Sequence, residues 1–229
     1  MRQGLAIVTC LFLGIVLASG VPPPATADTA LGTSTWSLEL ATDIGSGDND
    51  ASFAIRRHSG ASSAFRFRVD VSANKQDGDG TRTDTGNPDT KSNLDQENHA
   101  YAFSIQWMRF AAIRDNVTAT FALGPIVQKQ RYGVRQENNE GLPSFNGYEQ
   151  RQETTSFGVD LGLGMEWFFN RRLSLGGQSG LRATTGSGHY VNINRSGNGA
   201  TYSKDETDID VDVTEFTTAT ARIQLTAYF

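Results

Sequence analysis

The sequence predicts an all-β chain: an eight-stranded antiparallel up-and-down transmembrane β-barrel, preceded by a cleaved signal peptide. Three observations predict it. From about residue 34 onward apolar and polar residues alternate with period two, and no convincing 3.6-residue period competes. Long and short polar links alternate along the chain, and aromatic residues gather at the short-link ends of the alternating stretches.

The composition agrees with such a chain. Of 229 residues 38% are hydrophobic, and the mean hydropathy is -0.39. A barrel keeps its mean hydropathy low because lipid-facing and lumen-facing residues alternate. Glycine is abundant at 24 residues and proline sparse at 6, which suits strands and turns better than a disordered chain. The net charge of -5, with no basic stripe, argues against a nucleic-acid partner.

The N-terminus reads as an export signal. Met1-Arg2-Gln3 opens it with positive charge, and Leu5 to Leu17 is an almost unbroken apolar run, too short for a stable spanning helix. Cleavage is expected after Ala27, where Ala25-Thr26-Ala27 follows Pro22-Pro23-Pro24, with Ala18 as the alternative. Residues 1–27 are thus expected to be the signal peptide, 28–33 a short lead and 34–229 the barrel. Cys10, the only cysteine, lies in the signal, preceded by Thr9 where a lipoprotein signal wants Gly or Ala. The mature chain therefore has no disulfide or thiolate metal site.

Eight stretches alternate. Trp36, Leu38 and Leu40 form the first apolar face, Phe53 and Ile55 the second, and Phe65, Phe67, Val69 and Val71 the third. Tyr101, Phe103, Ile105 and Trp107 form the fourth, and Val117, Ala119, Phe121 and Leu123 the fifth. The sixth is the clearest, from Phe157 through Val159, Leu161, Leu163, Met165 and Trp167 to Phe169. Leu173, Leu175, Leu181 and Ala183 form the seventh. Ala219, Ala221, Ile223, Leu225, Ala227 and Phe229 form the last. Successive side chains of a strand point to opposite faces, so each stretch has one apolar face and one small or charged face.

Short links are expected at Ser59-Gly60, Ala111 to Asn116 and Asn170-Arg171, and long polar loops at 43–50, 74–97, 135–152 and 186–212. The strands beside the third loop have the pattern to continue as a hairpin, from Gln128 to Arg135 and from Gln150 to Ser156. Acidic residues far outnumber basic ones in the long links, whereas Arg56, Arg57, Arg109, Arg114, Arg171 and Arg172 cluster by the short ones. Trp36, Trp107, Trp167, Phe169 and Phe229 fall on the short-link side, as an interfacial aromatic belt would; Phe65 and Tyr228 are placed there too.

The stretch Ala221-Arg222-Ile223-Gln224-Leu225-Thr226-Ala227-Tyr228-Phe229 is similar to the C-terminal signature by which outer-membrane barrels are recognised for assembly, with Ala227 where the family prefers an aromatic. With the segment from Gly164 to Gly176, it makes residues 34–229 resemble the small-barrel families typified by outer membrane proteins A, X and W. The resemblance implies a bacterial outer-membrane location, periplasmic termini, and partners in outer-membrane lipid, lipopolysaccharide and the barrel-assembly machinery. A peptidoglycan-binding domain after the last strand is not expected.

A barrel of eight strands has a lumen that side chains can fill. Glu39, Arg56, Arg66, Arg68, Asp70, Gln106, Asp160, Glu166, Arg182, Arg222 and Gln224 have the inward parity. Buried charges are costly unless paired, so an ion-pair network is expected, with Glu39, Asp160 and Glu166 shared among the arginines. Gly158, Gly162, Gly164, Gly176 and Gly180 share that face and would leave room for long side chains.

A non-enzymatic structural or surface-interaction role follows, with a narrow pore for small solutes and a lipid-A-modifying enzyme as alternatives. The enzyme would need a histidine beside a serine and an acid. Among His58, His99 and His189 only His189, with Ser187 nearby, offers this. Asp77-Gly78-Asp79-Gly80 and Asp205 to Asp210 are oxygen-rich but lack the full calcium-loop pattern, so neither a metal nor another cofactor is expected.

Overall fold

The structure is a computed structural model and describes residues 36–43, 49–82, 90–114, 116–140, 144–169, 172–198 and 201–229. The expected signal peptide (1–27) and lead (28–33) lie outside the described residues, as do Asn170 and Arg171. Eight strands follow one another: β1 (Trp36–Asp43), β2 (Asn49–Gly60), β3 (Ser63–Arg82), β4 (Thr90–Arg114), β5 (Val117–Glu140), β6 (Ser144–Phe168), β7 (Leu173–Asn198) and β8 (Thr201–Tyr228). Each pairs antiparallel with its neighbour, and β1 pairs with β8, so the sheet closes into an up-and-down barrel.

Period-two alternation turns this sheet inside out relative to a water-soluble barrel. Phe67, Val69, Phe103, Val127 and Val159 are exposed on the outer surface, while Glu39, Arg56, Arg66 and Glu166 are 0–2% exposed within. Only a solvent more apolar than water makes that arrangement favourable, and the closed ladder leaves the spanning strands no free edge. The fold is a transmembrane β-barrel.

The long polar links depart from expectation. Within these links the described residues 74–82, 90–97, 135–140, 144–152, 186–198 and 201–212 are strand. The hairpin continuation proposed for β5 and β6 runs further than expected, from Gln128 to Glu140 and from Ser144 to Ser156. Apart from Ile209, Val211 and Val213 of β8, which alternate with Asp208, Asp210 and Asp212, these arms carry little apolar alternation to read. Their ladders rest on backbone pairing and cross-strand polar contacts.

β1 and β2 do not rise with the others. The closing ladder ends at Asp43↔Arg222, and the β2–β3 ladder ends at Asn49↔Ala73. Above that level β3 to β8 continue as a six-stranded crown with β3 and β8 as its edges.

One extra residue in β8 changes its parity. Arg222 pairs with Gln178, whereas Ala219 pairs with Gly180. The alternation that begins at Phe229 therefore does not run through to Ala219, as the sequence alone suggests. Above the bulge Phe216 points outward, 70% exposed, and Glu215 and Thr217 line the lumen mouth.

Candidate functional site

Side chains fill the barrel in layers. At the short-turn end His58 packs against Phe110 (ring centroids 5.2 Å apart) and Tyr228 (5.7 Å), and Phe168 packs on Tyr228 (5.4 Å). Phe168 and Tyr228 are thus interior residues, 7% and 4% exposed, although the sequence reading placed Tyr228 with the outer aromatics. His58, expected simply beside a turn, is 1% exposed, and neither ring nitrogen has a hydrogen-bond partner among the described residues.

Above this floor β1, β2, β3 and β6 bring the first charges together. Arg56 pairs with Glu39 and donates from Nη1 to Glu166 Oε2 at 2.9 Å. Tyr228 donates to Glu166 Oε1 at 2.6 Å, and the Ser174 hydroxyl donates to the same oxygen. Arg66 reaches Glu39 Oε1 at 3.2 Å, Gln106 Oε1 at 2.7 Å and Gln178 Oε1 at 2.9 Å. Gln224, with its amide turned to suit, donates to Glu39 Oε1 at 3.3 Å and accepts from Arg56 Nη2 at 3.1 Å.

The next layer joins Arg68 to Asp160, and Arg68 Nε lies 3.1 Å from Asp70. Arg182 donates to Asp70 Oδ2 at 3.0 Å and to Gln128 Oε1 at 3.2 Å; its Nη2 is 3.7 Å from Asp160. Arg222 donates to Asp43 Oδ1 at 2.5 Å and to Asp70 Oδ1 at 3.3 Å. Arginine suits these positions because its planar fork serves several acceptors at once.

The network balances. Arg56, Arg66, Arg68, Arg182 and Arg222 contribute five positive charges, and Asp43, Glu39, Asp70, Asp160 and Glu166 contribute five negative ones. Asp43 was missed in the sequence because it sits at the start of an expected loop. Gln178 was missed because no alternating run covered it, and Glu215 because the bulge hides its parity.

Above the network lies a cavity of about 300 Å³, walled by Asp43, Arg68, Asp70, Arg182, Glu215 and Arg222 below and by Asn98, Gln128 and Gln130 above. Asn98, Gln128 and Gln130 place its upper wall at the base of the crown, and the charged layers and the aromatic floor lie beneath it.

In solved structures this fold recurs. The chain is similar to the crystal structure of a major outer membrane protein from Thermus thermophilus, with a TM-score of 0.50 and 12% identity over 85% of this chain and 98% of that one. A second match is the crystal structure of Acinetobacter baumannii CarO, at 10% identity over 88% of this chain and 99% of that one, with a TM-score of 0.33. No protein-family model matches the chain, and no curated protein matches its sequence. At these identities the first likeness establishes the fold of an outer-membrane barrel and nothing finer.

Several exposed aromatics gather at the short-turn end: Trp36 (39% exposed), Trp107, Trp167, Phe169 and Phe229 (75%). Arg57 lies over the Trp36 ring at 5.5 Å, Arg109 over Trp107 at 5.2 Å, and Trp167 meets Phe169 edge-on at 4.6 Å. A second set, Tyr101, Phe157 and Phe216, stands exposed at the other margin of the apolar band.

His189 lies outside the lumen on the exposed face of the β7–β8 arm. Its Nε2 is 3.0 Å from Asp208 and its Nδ1 3.3 Å from Asp210. Ser187 lies opposite Asp212 in the same ladder. Among the described residues no cluster of three or more His, Cys, Asp or Glu is arranged to hold a metal ion.

Proposed function

We propose that this chain is a non-enzymatic barrel of the bacterial outer membrane, related in plan to the small A, X and W barrels, whose plugged lumen anchors a tall surface-interaction sheet. Residues 1–27 are its export signal, and both termini face the periplasm. Outer-membrane lipid and lipopolysaccharide surround it, and its last strand engages the barrel-assembly machinery. The single observation that carries this reading is the height of the crown. A tilted strand spans the membrane in about 9–11 residues, whereas β7 has 26 and β8 has 28. The excess, about 15 residues or roughly 50 Å of strand, does no spanning work.

The aromatic residues at both margins of the apolar band have the amphipathic character that favours a membrane interface. The arginine–carboxylate layers close the route from the mouth to the periplasmic end, which favours an anchor over a conduit. The same layers fix strand register, since each pair joins distant strands.

The test is fractionation followed by gel mobility of the detergent-folded protein, unboiled against boiled. Recovery in the outer-membrane fraction with a mobility shift is expected; recovery as a soluble periplasmic protein without a shift would sink the proposal. Planar-bilayer recording is expected to give no steady single-channel current, and lipid A is expected to have the same mass with and without the protein.

A further inference from the structure

We propose that the inner face of the crown is a binding surface for an uncharged oligosaccharide taken from solution. The inference rests on the surface-interaction reading above and names the chemistry of its partner.

The crown sorts its side chains by face. The outer parity carries the charged pairs: Lys129 and Arg131 with Glu153, Arg151 and Arg195 with Glu149, and Lys204 with Glu206. The inner parity, continuous with the lumen wall through Gln128, is built from side-chain amides, tyrosines and small residues on β5, β6 and β7. Solubility alone would not sort them, because charges hydrate either face equally well.

The tyrosines are grouped. Tyr132 and Tyr190 flank Gln152 in the β5–β6–β7 register, and the Tyr148 hydroxyl donates to Gln150 Oε1 at 2.6 Å. The Tyr190 and Tyr132 phenols approach Tyr148 closely enough that partial burial and these neighbours hold its hydroxyl above the usual phenol range. Gln150 in turn pairs with Asn192, whose Oδ1 is buried without a hydrogen-bond partner among the described residues. Buried polar atoms are nearly always satisfied, so this acceptor has bonding capacity that the crown's own side chains leave unused.

The amides nearby also have capacity to spare. Gln130 to Asn98, Gln136 to Ser92 and Gln152 to Thr154 are all at 3.5 Å, the weak limit of a hydrogen bond. A side-chain amide offers donors and acceptors together, which matches a hydroxyl that is both. Tyrosine supplies an apolar ring face with a polar tip, which fits the C–H face and the hydroxyl edge of a pyranose. Above Gln128, the described inner-face side chains of β5, β6 and β7 carry no charge, which disfavours nucleic acid and anionic polymers. On β5, β6 and β7 the polar character disfavours an acyl chain; the apolar strip Ile209, Val211 and Val213 lies on the neighbouring β8.

The experiment is calorimetric titration of the full chain, folded in detergent micelles, with maltoheptaose, cellohexaose and a linear mannan fragment as neutral probes. A heparin fragment and a hyaluronan fragment serve as anionic probes. At least one neutral probe is expected to bind with an affinity that added salt leaves unchanged. Tyr190→Ala and Asn192→Ala are expected to weaken it at least about tenfold, a change of about 1.4 kcal/mol, while Lys129→Ala on the outer face leaves it intact. Heat-shifted gel mobility checks that each variant is folded. Amide-resonance mapping on the unaltered chain locates the probe should a variant fail to fold. Silence from every neutral probe, binding confined to anionic probes with steep salt dependence, or resonance shifts confined to the outer face would each overturn the proposal. Because binding is read in micelles, its failure is separate from a failure of the membrane location, which fractionation reads.

Discussion

Glu39 shows at the scale of one residue how the lumen is held. Its carboxylate serves Arg56 and Arg66 together, and all three side chains are within 2% of full burial. Removing one partner of a buried pair leaves an uncompensated charge, at a cost of about 3–5 kcal/mol. Glu39→Ala is therefore expected to lower the unfolding free energy by about that amount, read from urea titration of vesicle-embedded protein. A loss below about 1 kcal/mol would mean that water already solvates the network. The same layer explains Gly162. A Cβ there would collide with the Gln178 amide, which accepts from Arg66. Gly162→Val is expected to cost about 1–3 kcal/mol by overpacking, in the same titration.

Among the elements, the crown arms differ in kind from the spanning segments beneath them. Below, each strand is specified by an apolar outer face; above, the arms depend on ladders and surface pairs worth little individually. Glu153 joins Lys129 and Arg131 across the β5–β6 arm, and hydrogen bonding from Lys129 is the chief cause that lowers its pKa. A carboxylate lowered in the folded state adds stability that is full above its unfolded pKa and disappears as pH falls through the folded value. Amide-exchange protection of the β5–β6 arm is thus expected to decline on acidification below the ordinary glutamate range, while protection around Gly162 and Leu163 persists. Loss of protection in both regions at one pH would show the two to be a single cooperative unit.

On the scale of the whole molecule, closure depends on the shortest ladder. β1 has 8 residues, and the seam ends in a reciprocal pair: Trp36 N donates to Phe229 O at 3.1 Å, and Phe229 N donates to Trp36 O at 2.9 Å. Deleting Phe229 removes both bonds and one aromatic of the short-turn end. It is expected to slow the appearance of the heat-shifted band severalfold in detergent refolding while leaving the crown's strand content unchanged. An unaltered rate would place the decisive closing contacts higher in the seam, near Asp43 and Arg222.

Much of this architecture was legible in the sequence because lipid imposes a strict rule. Every second residue of a spanning strand must be apolar, so Phe157 to Phe169 or Phe65 to Val71 declare strand, face and register together. The inward parity of Glu39, Arg56, Arg66, Arg68, Asp160, Glu166, Arg182 and Arg222 follows from that alternation. What tertiary structure alone decided is who meets whom, since Arg56 and Glu166 are separated by 110 positions and join only because the sheet closes. It also decided how far the strands run. In water neither face must be apolar, so 135–152 carries no hydrophobic period and 186–212 shows one only at Ile209 and Val211, and the β8 bulge beside Gly180 leaves no compositional mark. Alternation against lipid is written residue by residue, whereas ladder length and ion-pair partnership are properties of the closed sheet.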